Sequence, residues 1–153
     1  MRRPKQLSHI QRKLININYH IYGSPKYLEK HGYPKTVKDL NKHKFISFGR
    51  GTPSPVYNPD WALKLGMEDN KKRKTVMKVN SVYGLLLAVQ SGVGLAALPD
   101  YLTTKQPNIV KVLPKIEGPI TEAHFVYPQS LKNEARIRAF RNFLYSKISE
   151  WEF

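Results

Sequence analysis

The stretch from Asn80 to Pro99, NSVYGLLLAVQSGVGLAALP, constrains the fold of this chain more than any other. Asn80 or Ser81 is suited to cap a helix, because its side-chain oxygen can accept from a first-turn N–H. Val82, Leu85, Leu86 and Val89 follow at helical spacing, and Gly92 stands where a C-terminal cap glycine belongs. Val93 to Leu98 is a continuous apolar run without polar alternation, which reads as a strand buried on both faces, and Pro99 ends it. A one-faced helix running straight into a two-faced strand has to lie on a sheet.

The rest of the chain repeats that alternation. Leu14 to Tyr22 mixes alternation with β-branched and aromatic residues and predicts a strand, ended by Gly23 and the Ser24-Pro25 pair. Ser24 can cap and Pro25 can open a short helix carrying Tyr27 and Leu28 inward, stopped by Gly32 and Pro34. Thr36 to Asn41 predicts one or two helical turns, and Lys44 to Phe48 a strand. Three prolines between Arg50 and Trp61 mark an irregular loop. Leu63 to Lys72 is ambiguous, with a turn at Glu68-Asp69-Asn70. Thr75 to Val79, Ile109 to Leu113 and Glu122 to Tyr127 predict strands, with a single turn at Asp100 to Leu102. Leu131 to Trp151 predicts a long amphipathic helix with Ile137, Phe140, Phe143, Leu144 and Ile148 on one face. Strands alternating with helices imply a layered α/β unit with a largely parallel sheet.

Composition removes several function classes. With 153 residues, 41% of them hydrophobic, the chain can bury a core. It has no cysteine, so disulfides, thiolate metal sites and a cysteine nucleophile are excluded. No apolar run approaches the roughly 18 to 20 residues that span a bilayer. The basic start, MRRPKQLSHIQRKL, is not followed by the apolar region of a secretory signal, so a cytoplasmic protein without a membrane partner is expected. None of the five histidines (9, 20, 31, 43 and 124) forms an i, i+4 pair or an HExxH frame, which argues against a metal, and no cofactor is implied. No G-x-S-x-G elbow or paired carboxylates are present, so an enzyme is not expected.

The net charge is +15, from 26 basic and 11 acidic residues. Two clusters stand out: Arg2, Arg3, Lys5, Arg12 and Lys13, and Lys71, Lys72, Arg73, Lys74 and Lys78. Each can be a solvated surface or a nucleic-acid contact, since cations near phosphates release counterions.

The order of the pieces resembles the LysR-type transcriptional regulators. GSPKYLEKHGYPKTVKDLNKHKFISF is similar to the family's Ser-Pro-x-Tyr-Leu, His-Gly-x-Pro and Leu-x-x-His elements followed by a strand. A loop carrying Trp61 comes next, and VNSVYGLLLAVQSGVGLAALP is similar to the Ala-Val-x-x-Gly-x-Gly-Ile-x-x-Leu-Pro signature. Val126-Tyr127-Pro128, Arg138-Ala139-Phe140 and Phe143-Leu144 close the match, which spans roughly Leu14 to Ile148. The resemblance implies a periplasmic-binding-protein-like (type 2) effector domain. In that family two α/β lobes, joined by two crossover strands, bind a small molecule between them, and a separate winged helix-turn-helix binds DNA.

Mapped onto this chain, the resemblance implies a basic N-terminal segment (1–13), then a second lobe with both crossover strands (14–128). A C-terminal helix (129–153) would pack on a first lobe. Nothing before Leu14 matches a helix-turn-helix or a first lobe, so an N-terminally truncated effector domain is expected, touching DNA only through a missing domain.

Two segments are candidate effector-binding sites. Asn80-Ser81 opens a helix whose free N–H groups favour a carboxylate or phosphate, beyond the capping role of Ser81. Ser47-Phe48-Gly49-Arg50 ends a strand, where ligands sit in open α/β sheets, and Arg50 could pair with an anion. An ordinary glycine-rich turn is the competing reading. Gly92 and Gly94 precede a strand, whereas a nucleotide fingerprint follows one, so capping and tight packing explain them. His20 and His124, on the two presumed crossover strands, are expected near the cleft. His31 and His43 read as surface or C-capping residues.

The functional expectation is an effector-sensing fragment that binds a small anionic metabolite. Two alternatives stand beside it. One is a basic nucleic-acid-binding protein; the other is a degenerate or interaction-only fragment that self-associates through its last helix.

Overall fold

The computed structural model describes residues 8–49, 60–68 and 71–150. The Arg2, Arg3 and Lys5 part of the first basic cluster, Arg50, the proline-rich loop, the Asp69-Asn70 turn and Trp151 lie outside the described residues.

The strand expected over Leu14 to Tyr22 is two strands, β1 (His9–Ile17) and β2 (Tyr19–Gly23), separated at Asn18. β1 begins at His9, within the stretch 1–13 expected as a basic N-terminal segment. β1 pairs antiparallel with β7 (Thr121–Pro128), and this two-stranded ribbon stands apart from the main sheet. Every β2 residue is buried, whereas β1 is only half-buried, so alternation alone does not reveal that they belong to different sheets.

The main sheet forms around β2. It pairs antiparallel with β5 (Ala96–Pro99) on one side and β6 (Val110–Val112) on the other. β3 (Phe45–Phe48) and β4 (Thr75–Val79) pair in parallel. A parallel bridge between Phe45 and Leu95 joins β3 to β5, with Ile46 N donating to Leu95 O at 2.8 Å and Leu95 N to Lys44 O at 2.8 Å. The resulting order is β4-β3-β5-β2-β6. The expectation of a largely parallel sheet is corrected here: β3, β4, β5 and β6 run one way, but β2 runs against them in the interior. The physical reason is connectivity, because β2 enters the lobe from the ribbon and not from a crossover helix.

Helices cover both faces. α1 (Pro25–His31) begins as its sequence predicts, with Ser24 Oγ accepting from Tyr27 N at 3.3 Å. A 3-10 turn at Lys38–Lys42 follows, and Asp39 accepts from the Thr36 N–H at 2.8 Å. With α2 (Trp61–Lys64), which resolves the ambiguous Leu63 region, these elements bury Tyr27, Leu28, Leu40, Trp61 and Leu63 against Ile21, Phe45 and Leu95. On the other face α3 (Val82–Gln90) sets Leu85, Leu86 and Val89 on Tyr22, Ile46, Ala96 and Leu98. Each such aliphatic side chain contributes about 1.5–3 kcal/mol by leaving water.

The glycines after α3 act structurally. Gly92 sits at φ 78°, the left-handed conformation that ends a helix. A Cβ on Gly94 would lie 2.6 Å from the Lys44 carbonyl oxygen, so this glycine lets β5 approach β3. α4 (Ala135–Ser149) is shorter than the expected Leu131 to Trp151 span, because a separate 3-10 turn occupies Gln129–Leu131. No residue of α4 is fully buried. It touches the β1–β7 ribbon, with Phe140 edge-on to Phe125 and Tyr145 Oη donating to Lys13 O at 3.0 Å.

Candidate functional site

The C-terminal ends of β3 and β4 bring the two candidate segments together. Gly49 N donates to Val79 O at 2.8 Å, extending the parallel pairing one residue past β3. A Cβ on Gly49 would lie 3.6 Å from Asn80 N, an ordinary contact, so the neighbouring strand does not itself demand a glycine there. Ser81 caps α3, its Oγ accepting from Gly84 N at 3.3 Å. Asn80 and Ser81 are exposed at this helix start, where the macrodipole is positive. Ser47, Phe48, Gly49, Asn80 and Ser81 therefore share one end of the sheet, and Arg50 lies outside the described residues.

Ser47 and Phe48 also line a half-open pocket of about 340 Å³, walled by Asp60, Leu63, Lys72, Arg73, Lys74, Thr75 and Lys78. Such a volume suits a small metabolite. All of the second basic cluster except Lys71 thus faces this pocket, and its members differ in role. Arg73 is only 7% exposed. Its guanidinium donates to Asn41 Oδ1 at 2.9 Å and to the carbonyls of Leu65 (2.8 Å), Ala62 (3.1 Å) and Val37 (3.2 Å). It clamps α2 and the turn before β3 to the start of β4. Burial lowers its pKa. Lys72 pairs with Asp60 at 3.2 Å and Lys71 with Glu68. Of the five residues in this cluster, Arg73 is interior, Lys71 and Lys72 are paired, and Lys74 and Lys78 are exposed.

A second departure concerns His20. Its ring does not line an open cleft. It is 6% exposed, with Nδ1 2.9 Å from Asp100 Oδ1. Tyr22 Oη donates to the same oxygen at 2.9 Å, and Lys111 Nζ to Asp100 Oδ2 at 3.2 Å. Burial first, then the bond and charge of Asp100, push the Tyr22 phenol up, against a bond from Thr103. The network fastens β2, β6 and the 3-10 turn after β5. Sequence reading missed it, and the one available signal was a carboxylate directly after the buried strand. His124 stays on the ribbon, 3.4 Å from Glu122. His31 is exposed, as expected, and His43 ends the 3-10 turn with its N–H on Leu40 O. The His43 imidazole packs against Tyr27, and burial followed by the charge of His31 lowers its pKa. Among the described residues no cluster of His, Cys, Asp or Glu has metal-binding geometry, and no helix is long and apolar enough to cross a membrane.

This architecture has known counterparts. Residues 1–148 match the LysR substrate binding domain. The chain belongs to that family. The LysR regulatory domains it resembles have the periplasmic-binding-protein-like type 2 fold. The CrgA regulatory domain of Neisseria meningitidis superposes with a TM-score of 0.77 at 23% identity, over 95% of this chain and 72% of that one. Full-length AphB, the Vibrio cholerae virulence activator, superposes at 0.66 and 16%, over 94% of this chain and 49% of that one. In sequence, an uncharacterized HTH-type transcriptional regulator of Haemophilus influenzae is 26% identical over 123 residues, covering 78% of this chain and 41% of that protein. CrgA is 25% identical over 141 residues, covering 90% and 46%. These relatives are named as transcriptional regulators, not enzymes, and the chain spans less than half the length of each.

Proposed function

We propose that this LysR substrate-binding domain senses a small anionic metabolite at the shared end of β3, β4 and α3. The observation that carries the reading is the apposition of Gly49 and Asn80 beside the Ser81-capped start of α3. Strand ends supply a crevice, and first-turn N–H groups attract a carboxylate or phosphate. Ser47, Phe48, Gly49, Asn80 and Ser81 would contact the ligand, joined by Arg50. As in other regulators of the family, binding would act on DNA through a helix-turn-helix beyond these 153 residues, in a cytoplasmic protein. It can do so only if the ligand discriminates between two conformations. Residues 14–128 would form one lobe with its crossover strands, and α4 would dock on a second.

The exposed face of α4 favours one further reading. Phe140 is 51% and Phe143 54% exposed, so the chain by itself would self-associate there.

The test is a thermal-shift screen of short mono- and dicarboxylates and inorganic phosphate, repeated on Ser81→Ala and Asn80→Ala. The proposal expects at least one anion to raise the Tm of the parent chain, and the variants to lose part of that rise. It fails if no anion raises the Tm, or if the full rise survives in both variants.

A further inference from the structure

We infer that the pocket beneath β3 and β4 is itself an anion site, shaped for a carboxylate or phosphoryl group at the far end of the ligand. That the group belongs to the effector rests on the function proposed above. The pocket itself rests on its own walls. Among the described residues four cations, Lys72, Arg73, Lys74 and Lys78, line it against one carboxylate, Asp60.

Arg73 is decisive among them. More than nine-tenths of it is removed from water, yet among the described residues its guanidinium has no anionic partner: it donates to one side-chain amide oxygen and three backbone carbonyls, and the Phe45 ring lies 5.8 Å from it. Neutral acceptors satisfy its N–H groups but leave its charge uncompensated, and buried charge strongly favours a counter-charge. The Asp60 carboxylate is already shared with Lys72. Ser47, 6% exposed, adds a hydroxyl to the wall.

Lysines on an edge strand also guard against strand-to-strand aggregation. That accounts for Lys78 on β4 and for Lys74 just before it, but not for a concave pocket backed by a buried guanidinium. An anion seated there would meet Lys74, Lys78 and the Ser47 hydroxyl, with Arg73 behind them. The effector is then a molecule with two separated acidic groups, one for the start of α3 and one for this pocket.

The experiment titrates the intact 153-residue chain with inorganic phosphate, and separately with acetate, while following backbone amides by NMR at fixed ionic strength. Saturable shifts are expected at Ser47, Phe48, Thr75 and Lys78. A Lys74→Gln/Lys78→Gln variant should bind about ten-fold more weakly at those amides, and Lys78→Arg should retain binding. Both lysines are exposed, so the fold tolerates these changes. Ser81→Ala should leave the pocket response intact. The larger of the phosphate and acetate responses identifies the group preferred. Shifts confined to Ser81–Gly84 would overturn the pocket while sparing the proposed function. A pocket response indifferent to the lysine substitutions, or no saturable response, would also overturn it.

Discussion

Arg73 and His43 show how two polar side chains of similar sequence appearance come to hold the lobe together. Arg73 sits in a run of lysines and reads as surface, but the fold uses it as the tie among Val37, Asn41, Ala62 and Leu65. Arg73→Met should destabilise the chain by about 3 kcal/mol, because an acceptor set loses its donors inside the protein. Urea unfolding monitored by far-ultraviolet circular dichroism measures this, and an unchanged midpoint would refute the clamp. Lys74→Met, one residue away on the surface, should leave the midpoint nearly unchanged. For His43 the folded pKa lies below the ordinary 6.5, since burial and the His31 charge disfavour the cation. The unfolded chain therefore takes up its proton first on acidification. Stability from this group is full above pH 6.5 and declines as the pH falls below it. His43→Gln should flatten the fall in Tm between pH 7 and pH 5, and an unaltered slope would exclude His43 as its source.

At the scale of elements, legibility followed how local the determining signals are. α3 was readable because cap, apolar stripe and terminal glycine all lie within Ser81 to Gly92. β4 was readable from Thr75 to Val79 for the same reason. The adjacency of Gly49 and Asn80 followed once β3 and β4 were assigned to one parallel sheet. The division at Asn18 was not readable. Apolar residues lie on either side of it, Ile15 and Ile17 before and Tyr19 and Ile21 after, and only the strands' distant partners, Thr121 to Pro128 for one and Ala96 to Val112 for the other, separate them. The Asp100 network was hidden likewise, since His20 and Asp100 are 80 positions apart. α4 was anticipated in character: its apolar stripe exists and stays largely uncovered. Phe140→Asp/Phe143→Asp should keep the Tm within about 2–4 °C of the parent. Sedimentation at high concentration should change from associating to monomeric. A parent chain that is already monomeric would rule out self-association through α4.

At the scale of the whole molecule, the lobe is organised by a strand that runs against its neighbours. β2 occupies positions 19–23, while the strands on either side of it end at positions 99 and 112. On the ribosome this strand emerges before every other strand of its sheet, and it gains no neighbour until β5 follows at Ala96–Pro99. The lobe cannot grow outward from its beginning as a row of completed β-α-β units. It closes late and all at once, around a segment that until then exposes two bare edges and five residues destined for the interior. Long-range pairing of this kind makes folding slow, and it places the interval of greatest aggregation hazard during synthesis, when the first strand of the main sheet is waiting for its last neighbour.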